Sequence, residues 1–287
     1  MKIRKVVIPV AGLGTRLLPA TKAQPKEMLP IVDKPIIQYI VEQAVAAGIT
    51  DVILVTGATK RAIEDHFDRN EYLEDYLQKA GKTRARQQIK ELAELANFIF
   101  IRQKGPYGNG TPVLNAKSVV GNEPFAVVWG DDIWSCPKKP HLRQLIEVFN
   151  KYGDPVITVK ETDDAGTEKY GIIEGVEVEK DVYQVKTIME KPGPKKTKSR
   201  LGSHGGYIFT PDIFDALKDT PLGKNNELWL VDAIARLLKK RPIYAKMIDG
   251  TLHDPGSKLG WLKANVEFGL KDKEIKEEFK YFLKNKI

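Results

Sequence analysis

Cysteine and long apolar runs are both scarce in this sequence of 287 residues. The one cysteine, Cys136, excludes an intrachain disulfide framework and is typical of a reducing compartment. The apolar run that follows the basic start, residues 1–5, is short and leads into a glycine turn, so it predicts neither a signal peptide nor a membrane span. We therefore expect a cytoplasmic protein that has no membrane partner.

Catalytic patterns built on histidine or serine are missing as well. The four histidines have no zinc-like spacing, and no serine lies in a nucleophile-elbow pattern. The net charge is +8, yet no predicted helix concentrates its cations on one face, and the most basic run, residues 191–200, alternates with proline and glycine and is typical of a solvated loop. We therefore expect neither a covalent nucleophile nor nucleic acid as a partner.

Strand-like apolar runs alternate with segments of helical periodicity in the first half of the sequence. The strand-like runs are residues 6–10, 52–56, 98–102, 125–129, 156–160 and 243–248, and the helical segments are 36–47, 60–67 and 113–120. Such alternation predicts βαβ units and an α/β fold with a mixed, mainly parallel sheet flanked by helices. Sheets of this kind bind ligands at the carboxyl ends of their strands.

The remaining segments are less regular. Residues 71–96 are charged and helix-favouring, and their apolar positions indicate an inserted pair of helices. The second half contains a β-type segment at 170–190, a strand at 205–210, and amphipathic helices at 228–239 and 258–270. The chain is long enough to form one large core, so we expect a single domain over residues 1–287.

A glycine turn with nearby cations follows the first predicted strand. Gly12 and Gly14 let backbone N–H groups approach an anion closely, and Arg16, Lys22 and Lys26 add the positive charge that a polyphosphate needs. The turn is not a dinucleotide fingerprint, because Leu17 lies where the third glycine is required, and no Gly-Lys-Ser/Thr follows it. The alternative is an ordinary strand-to-helix turn with a solvated basic loop.

Two carboxylates, Asp131 and Asp132, directly follow the predicted strand at 125–129. Mg²⁺ is commonly bound by one or two carboxylates together with substrate phosphates and waters. A pair at a strand's carboxyl end therefore indicates a metal–nucleotide site, whereas the alternative is a polar turn or a helix cap.

These motifs together resemble the bacterial UTP–glucose-1-phosphate uridylyltransferases, or UDP-glucose pyrophosphorylases. The family's opening pattern is present in residues 12–16 (Gly-Leu-Gly-Thr-Arg), 19–22 (Pro-Ala-Thr-Lys), 25–30 (Pro-Lys-Glu-Met-Leu-Pro) and 33–35 (Asp-Lys-Pro). The first part is shared with sugar nucleotidyltransferases generally, and Pro-Lys-Glu-Met points to the uridylyl branch. The resemblance covers nearly the whole chain and implies a Rossmann-like nucleotidyltransferase fold.

The resemblance implies that residues 1–135 mainly bind the nucleotide and residues 136–287 mainly bind the sugar phosphate. Arg16 and Lys26 would hold the triphosphate and the leaving group. Glu27 resembles a family contact to the uracil side, and Gln103 followed by Gly108 resembles the family's base-reading Gln-x4-Gly. The nucleotide contacts implied are Ala11, Gly12, Gly14, Thr15, Glu27, Gln103 and Gly108.

The metal and sugar sites are implied in the same way. Asp131 would be the main ligand of Mg²⁺, with Asp132 supporting it, and Asp254 in residues 253–256 (His-Asp-Pro-Gly) would be a second ligand. The Glu-Lys-Pro at 190–192 resembles a family motif in which Glu190 would bind glucose hydroxyls and Lys191 the sugar phosphate, which makes Lys191 the third catalytic cation. The remaining sugar contacts implied are Gly171 and Tyr207.

The sequence departs from the family pattern at two places. The family continues Gly-Leu-Gly-His-Ala-Val where this chain has Gly-Asn-Gly-Thr-Pro-Val at 108–113, which is also typical of a tight turn at Asn109-Gly110 with Pro112 as the first residue of a helix. The family commonly has arginine where Gly206 stands. The first departure concerns the grip on ribose and base, and the second removes one sugar-side cation.

The reaction implied is UTP plus glucose 1-phosphate giving UDP-glucose and pyrophosphate, by a homo-oligomer that is a dimer or a tetramer. A thymidylyltransferase remains open, because one methyl group in a pocket contributes only about 1–3 kcal/mol of discrimination. A regulatory paralogue with little turnover also remains open because of the altered loop at 109–112. A nicotinamide dehydrogenase is excluded by Leu17 and by the cations Arg16 and Lys26.

Overall fold

The computed structural model describes residues 2–286. Its strands are β1 (Lys5–Pro9), β2 (Pro30–Ile31), β3 (Lys34–Pro35), β4 (Asp51–Thr56), β5 (Asn97–Arg102), β6 (Phe125–Val127), β7 (Ile133–Ser135), β8 (Val156–Glu161), β9 (Gly171–Glu179), β10 (Val182–Glu190), β11 (Leu201–Phe209), β12 (Tyr244–Met247) and β13 (Thr251–His253).

Twelve α-helices are distributed along the same residues. They are α1 (Ile36–Ala46), α2 (Arg61–Phe67), α3 (Glu71–Lys79), α4 (Thr83–Ala93), α5 (Gly110–Asn115), α6 (Lys117–Val120), α7 (His141–Tyr152), α8 (Asp164–Thr167), α9 (Ile213–Lys218), α10 (Leu230–Leu237), α11 (Lys258–Gly269) and α12 (Lys276–Lys284). None of the helices over residues 2–286 combines the length and the hydropathy needed to cross a membrane.

Nine strands form one sheet in the order β5-β4-β1-β6-β11-β8-β12-β10-β9. The strands β5, β4, β1 and β6 pair in parallel, which agrees with the βαβ units predicted for the first half. In the second half only β8 and β12 pair in parallel, and β9 pairs back onto β11, so that five strands close into a ring. The predicted mixed α/β sheet is thus confirmed, but the expectation that it is mainly parallel is wrong. Within the described residues, four pairings of this sheet are parallel and five are antiparallel, because the strands of the second half close into the ring mostly by antiparallel pairing.

The apolar core lies on both faces of this sheet. Val6 and Ile8 of β1 belong to one buried cluster and Val7 to the other, and the same alternation occurs in β4. Burial of both faces explains why these strands are continuous apolar runs rather than alternating ones. Burial also explains why these strands are recognisable in the sequence, since each buried branched side chain contributes about 1.5–3 kcal/mol to the stability of the fold.

Most predicted elements lie within two or three residues of their expected positions. Helix α5 begins at Gly110, so Pro112 is its third residue rather than its first. Proline is tolerated there because the first-turn N–H groups have no intrahelical acceptor. Helices α3 and α4 occupy the insertion at 71–96, and β11 begins at Leu201, four residues before the expected strand.

Candidate active site

The glycine turn and the two aspartates meet because β1 and β6 are parallel neighbours. Gly130 packs against the end of β1, where an added Cβ would lie 2.7 Å from Cγ1 of Val10 and 3.0 Å from the carbonyl oxygen of Pro9. This close approach requires a glycine and holds Asp131 beside the glycine turn.

Two cavities open at this edge of the sheet, with volumes of about 380 and 640 Å³. The smaller one, named here the turn cavity, is lined by all the predicted nucleotide contacts. The larger one, the carboxylate cavity, is lined by the predicted catalytic cations and metal ligands. The predicted sugar contacts Gly171, Glu190 and Tyr207 are not among its lining residues. The two cavities share Lys26, Trp129 and Asp131. The predicted residues in the turn cavity are Ala11, Gly12, Gly14, Thr15, Lys26, Glu27, Gln103 and Gly108, and those in the carboxylate cavity are Arg16, Lys26, Asp131, Asp132, Lys191 and Asp254.

The glycine turn is shaped by contacts with the basic segment that follows it. Gly14 has φ of 69°, in the left-handed region that favours glycine, and its carbonyl oxygen accepts a hydrogen bond of 2.8 Å from the hydroxyl of Thr21. A Cβ on Gly14 would lie 3.2 Å from Cβ of Lys26. The glycine turn therefore packs against Lys26, whose ammonium pairs with Asp131.

Lys26 forms a short ion pair with Asp131 in the wall between the two cavities. Burial lowers the pKa of Lys26, but the charges of Asp131 and Glu27 outweigh it, so the pKa is raised above its ordinary value. Lys26 is therefore a fixed positive charge at neutral pH, placed where both cavities meet.

Asp131 and Asp254 converge above Gly256. A Cβ built on this glycine would lie 2.7 Å from Nη2 of Arg16, 2.9 Å from Oδ1 of Asp254 and 3.1 Å from Oδ2 of Asp131. Two carboxylates with room for phosphate oxygens and waters fit a magnesium ion better than a closed protein cage. No group of three or more His, Cys, Asp or Glu side chains within 2–286 is arranged to hold a metal.

Asp132 bonds to a backbone N–H group, whereas its neighbour Asp131 pairs with Lys26. Its Oδ2 accepts a hydrogen bond of 3.2 Å from the backbone N–H of Gly205 on β11. Burial, followed by the charges of Asp131 and Asp254, raises its pKa well above the ordinary range. Asp132 thus ties β11 to the loop that carries Asp131.

The predicted sugar-side residues meet where β9 begins and β10 ends. Gly171 pairs with Glu190 across the two strands, and a Cβ on Gly171 would lie 3.5 Å from Oε2 of Glu190. Oε1 of Glu190 lies 3.2 Å from Nζ of Lys191, and burial raises the pKa of Glu190 although the charge of Lys191 opposes this. Lys191 has φ of 43° and is one of the residues that line the carboxylate cavity.

Tyr207 lies deeper than a direct sugar contact requires. Its side chain is buried, packs edge-on against Trp129 with ring centroids 5.6 Å apart, and its hydroxyl lies 3.4 Å from Oγ of Ser203. It is part of the core beneath the site, and its predicted contact with the sugar stays a prediction.

Glu27 is also buried, although it lines the turn cavity. Its Oε2 lies 2.7 Å from Nζ of Lys60, and only 1% and 4% of the two side chains are exposed. Burial raises the pKa of Glu27, and Lys60 counteracts this. The predicted contact to the uracil side is not tested by this geometry, which gives the carboxylate a partner within the protein.

Several residues of the site were not predicted from the sequence. Trp129 lines both cavities, and its position directly before Gly130 and Asp131 could have pointed to it. Lys169 and His204 line the carboxylate cavity. The ring of His204 packs on the ring of Tyr170, with centroids 4.3 Å apart, and burial lowers the pKa of His204 to about 4. His204 is therefore neutral at pH 7. No local pattern indicates it, because its environment comes from long-range packing.

The structure leaves no space for an arginine side chain at position 206, where this chain has glycine. The ring of His141 occupies the space that any side chain on Gly206 would need. The Nε2 of His141 lies 2.6 Å from the hydroxyl of Thr158, and burial lowers the pKa of this histidine to about 3. A neutral, buried histidine thus fills the position, and no cation replaces the arginine there.

Comparison with known proteins agrees with this geometry. The model of the nucleotidyl transferase family matches residues 5–267, which is most of the chain. The chain therefore belongs to the nucleotidyl transferases.

Similar proteins indicate which branch of the nucleotidyl transferases the chain belongs to. The chain is 47% identical to the UTP–glucose-1-phosphate uridylyltransferase YngB of Bacillus subtilis (strain 168), over 100% of this chain and 96% of that protein. It is 48% identical to UTP–glucose-1-phosphate uridylyltransferase 2 of Staphylococcus saprophyticus, over 99% and 98% of the two chains. The chain belongs to this uridylyltransferase family.

A solved structure is similar over nearly its whole length. The UTP-bound enzyme from Acinetobacter baumannii superposes with a TM-score of 0.92 at 38% identity, covering 98% of this chain and 99% of that one. The predicted fold and family are thereby confirmed.

Proposed function

We propose that this protein transfers the uridylyl group of UTP to glucose 1-phosphate, giving UDP-glucose and pyrophosphate. The observation that carries the proposal is the meeting of the turn cavity and the carboxylate cavity at Lys26 and Asp131. A nucleotide in the first and a sugar phosphate in the second would bring the reacting groups together at this wall.

The reaction needs position and charge rather than a protein nucleophile. A phosphate oxygen of glucose 1-phosphate attacks the α-phosphorus of UTP, and the bond from that phosphorus to the β-phosphate oxygen breaks in line with the attack. Lys26 and Arg16 neutralise charge on the triphosphate and on the departing pyrophosphate. Charge stabilisation and alignment of this kind account for most of the catalysis in such transfers.

The sugar phosphate is bound from the other side. The ammonium of Lys191 offsets the charge of the incoming phosphate, which otherwise enters beside a triphosphate. The carboxylate of Glu190 accepts from the glucose hydroxyls, and the small Gly171 leaves room for the ring at that carboxylate.

Asp131 and Asp254 are the residues that would hold Mg²⁺, with Asp132 keeping the loop of Asp131 on β11. The metal, when bound, supplies Lewis-acid stabilisation of the phosphate oxygens. Lys26 pairs with Asp131, so its ammonium would lie close to the phosphate oxygens of a substrate bound beside this carboxylate.

The uridylyl assignment is favoured over thymidylyl transfer by relatives at 47–48% identity that carry the uridylyltransferase name. A regulatory paralogue is disfavoured because the five charged residues that the reaction needs all line one cavity. They are Arg16, Lys26, Asp131, Lys191 and Asp254.

Pyrophosphate release should be fastest with UTP and glucose 1-phosphate and should require Mg²⁺. The test is a screen of the four ribonucleoside triphosphates and dTTP against several sugar 1-phosphates, each with and without the metal. A clear preference for dTTP would support the thymidylyl alternative. No turnover with any pair would support the regulatory one.

Glu190→Gln should weaken use of the sugar phosphate while leaving the nucleotide side intact. The amide keeps the shape of the side chain but loses the charged acceptor, so kcat/KM for glucose 1-phosphate should fall by about one to two orders of magnitude. Steady-state kinetics with each substrate varied in turn measures this. A raised KM for UTP with an unchanged KM for the sugar phosphate would mean that the two cavities are assigned the wrong way round.

Three further points belong to the same proposal. Residues 1–135 mainly bind the nucleotide and residues 136–287 mainly bind the sugar phosphate, within one domain.

A dimer or tetramer is supported by the apolar side chains of Leu259 and Leu262 exposed on α11. A cytoplasmic location is supported by the free thiol of Cys136 and by the substrates themselves.

A further inference from the structure

The segment 227–230, named here the bridge segment, binds the loop 107–110 that lines the turn cavity. The N–H of Leu228 donates to the carbonyl of Tyr107 at 2.8 Å, and the N–H of Gly110 donates to the carbonyl of Leu228 at 2.9 Å. Two reciprocal backbone bonds fix the loop and the bridge segment to each other.

A side chain adds a third bond at the same place. The Oδ1 of Asn109 accepts from the N–H of Leu230, the first residue of α10, at 2.8 Å. Gly108 has φ of 119°, and a Cβ there would overlap the backbone of Leu228. The approach is so close that the loop cannot shift without moving the bridge segment.

The same segment reaches the sugar side through Trp229. Its ring centroid lies 5.4 Å from Nζ of Lys191, within the range of a cation–π contact, and its Nε1 donates to Oε2 of Glu227 at 3.2 Å. The bonds to Leu228 and Leu230 hold the backbone of Trp229 on both sides. The backbone that carries this ring is therefore held by the loop of the other cavity.

We propose that the bridge segment couples the two cavities, with Trp229 as a positioning residue for Lys191 and Asn109 as the link to the nucleotide loop. A nucleotide that orders the loop 107–110 also orders Trp229, and the ammonium of Lys191 is then held for the incoming phosphate. By linkage, the coupling is reciprocal. The choice of UTP and glucose 1-phosphate as ligands rests on the proposed function, whereas the link itself does not require turnover.

Kinetics of three variants test the positioning role. Trp229→Ala should raise the KM for glucose 1-phosphate about two- to fivefold, the worth of an exposed cation–π contact, and Trp229→Phe should largely restore it. Asn109→Ala should also raise this KM, although it lies on the nucleotide side, and should add little in the Trp229→Ala background. The matched control is Asn70→Ala, which removes a similar bond to the N–H of Leu73 at the start of α3 and should leave both KM values unchanged.

Hydrogen exchange separates the link from the chemistry. UTP alone should slow exchange of the amides of 107–110, of the bridge segment and of the segment around Lys191. In Asn109→Ala the last of these effects should be weakened but not abolished, because the two backbone bonds to Leu228 remain. Protection confined to 107–110, an unchanged sugar KM in Trp229→Ala, or an Asn109→Ala effect on the UTP KM alone would overturn the proposal. Coupled protection without turnover would leave the link standing and remove the proposed function instead.

Discussion

Asp131→Asn is expected to lower kcat for uridylyl transfer by about two orders of magnitude or more, a typical loss when a charge-stabilising group is removed from such a site. The amide keeps the size of the side chain but removes the charge that pairs with Lys26 and converges with Asp254 above Gly256. Rates should be measured over a magnesium titration, since the variant should also need more metal.

Asp132→Asn is the matched comparison, because it makes the same chemical change one residue away. The oxygen of the new amide can still accept from the N–H of Gly205, so the loop should keep its position. We expect a loss below about tenfold, in line with a hydrogen bond that is kept. Equal losses in the two variants, or a larger one at Asp132, would reverse the assignment of the main metal ligand.

Lys60→Met should destabilise the protein strongly. Glu27 would be left as a buried charge without its partner, and breaking a buried pair in this way costs about 3–5 kcal/mol. The expected result is a fall in Tm of about 10 °C, from a shift of roughly 2–4 °C per kcal/mol for a chain of this size. Thermal unfolding by circular dichroism measures it.

The adjacent residue provides the control for this variant. Arg61 pairs with Asp65 at 3.7 Å on the surface, with 84% and 66% of the side chains exposed, so Arg61→Met should change stability by no more than about 1 kcal/mol. Adding Glu27→Gln to Lys60→Met should recover much of the loss, because the unpaired charge is removed. A lone Lys60→Met that unfolds like the wild type would show that Glu27 is neutral in the folded protein.

The strand order of the sheet shows which parts of the fold local sequence patterns can predict. The strands β1, β4, β5 and β6 are apolar on both faces and are connected by helices, so their positions and parallel pairing follow from the sequence. The ring that β9 closes with β11 does not, because antiparallel pairs such as Leu201 with Ile173 join residues far apart without any local signal. The early start of β11 at Leu201 has the same origin, since its first residues pair with β8 and β9.

The sequence by itself determined the family, the glycine turn and the carboxylate pair at strand ends. Motifs of this kind are contiguous, and parallel neighbours bring their carboxyl ends to one edge, so the meeting of Gly12 with Asp131 follows from the fold class. Only the tertiary structure decided that Glu27 pairs with Lys60, that His141 fills the space over Gly206, and that the ammonium of Lys191 lies over the ring of Trp229. Such contacts depend on how separate elements pack, because their free energy arises only when distant side chains are brought together and removed from water.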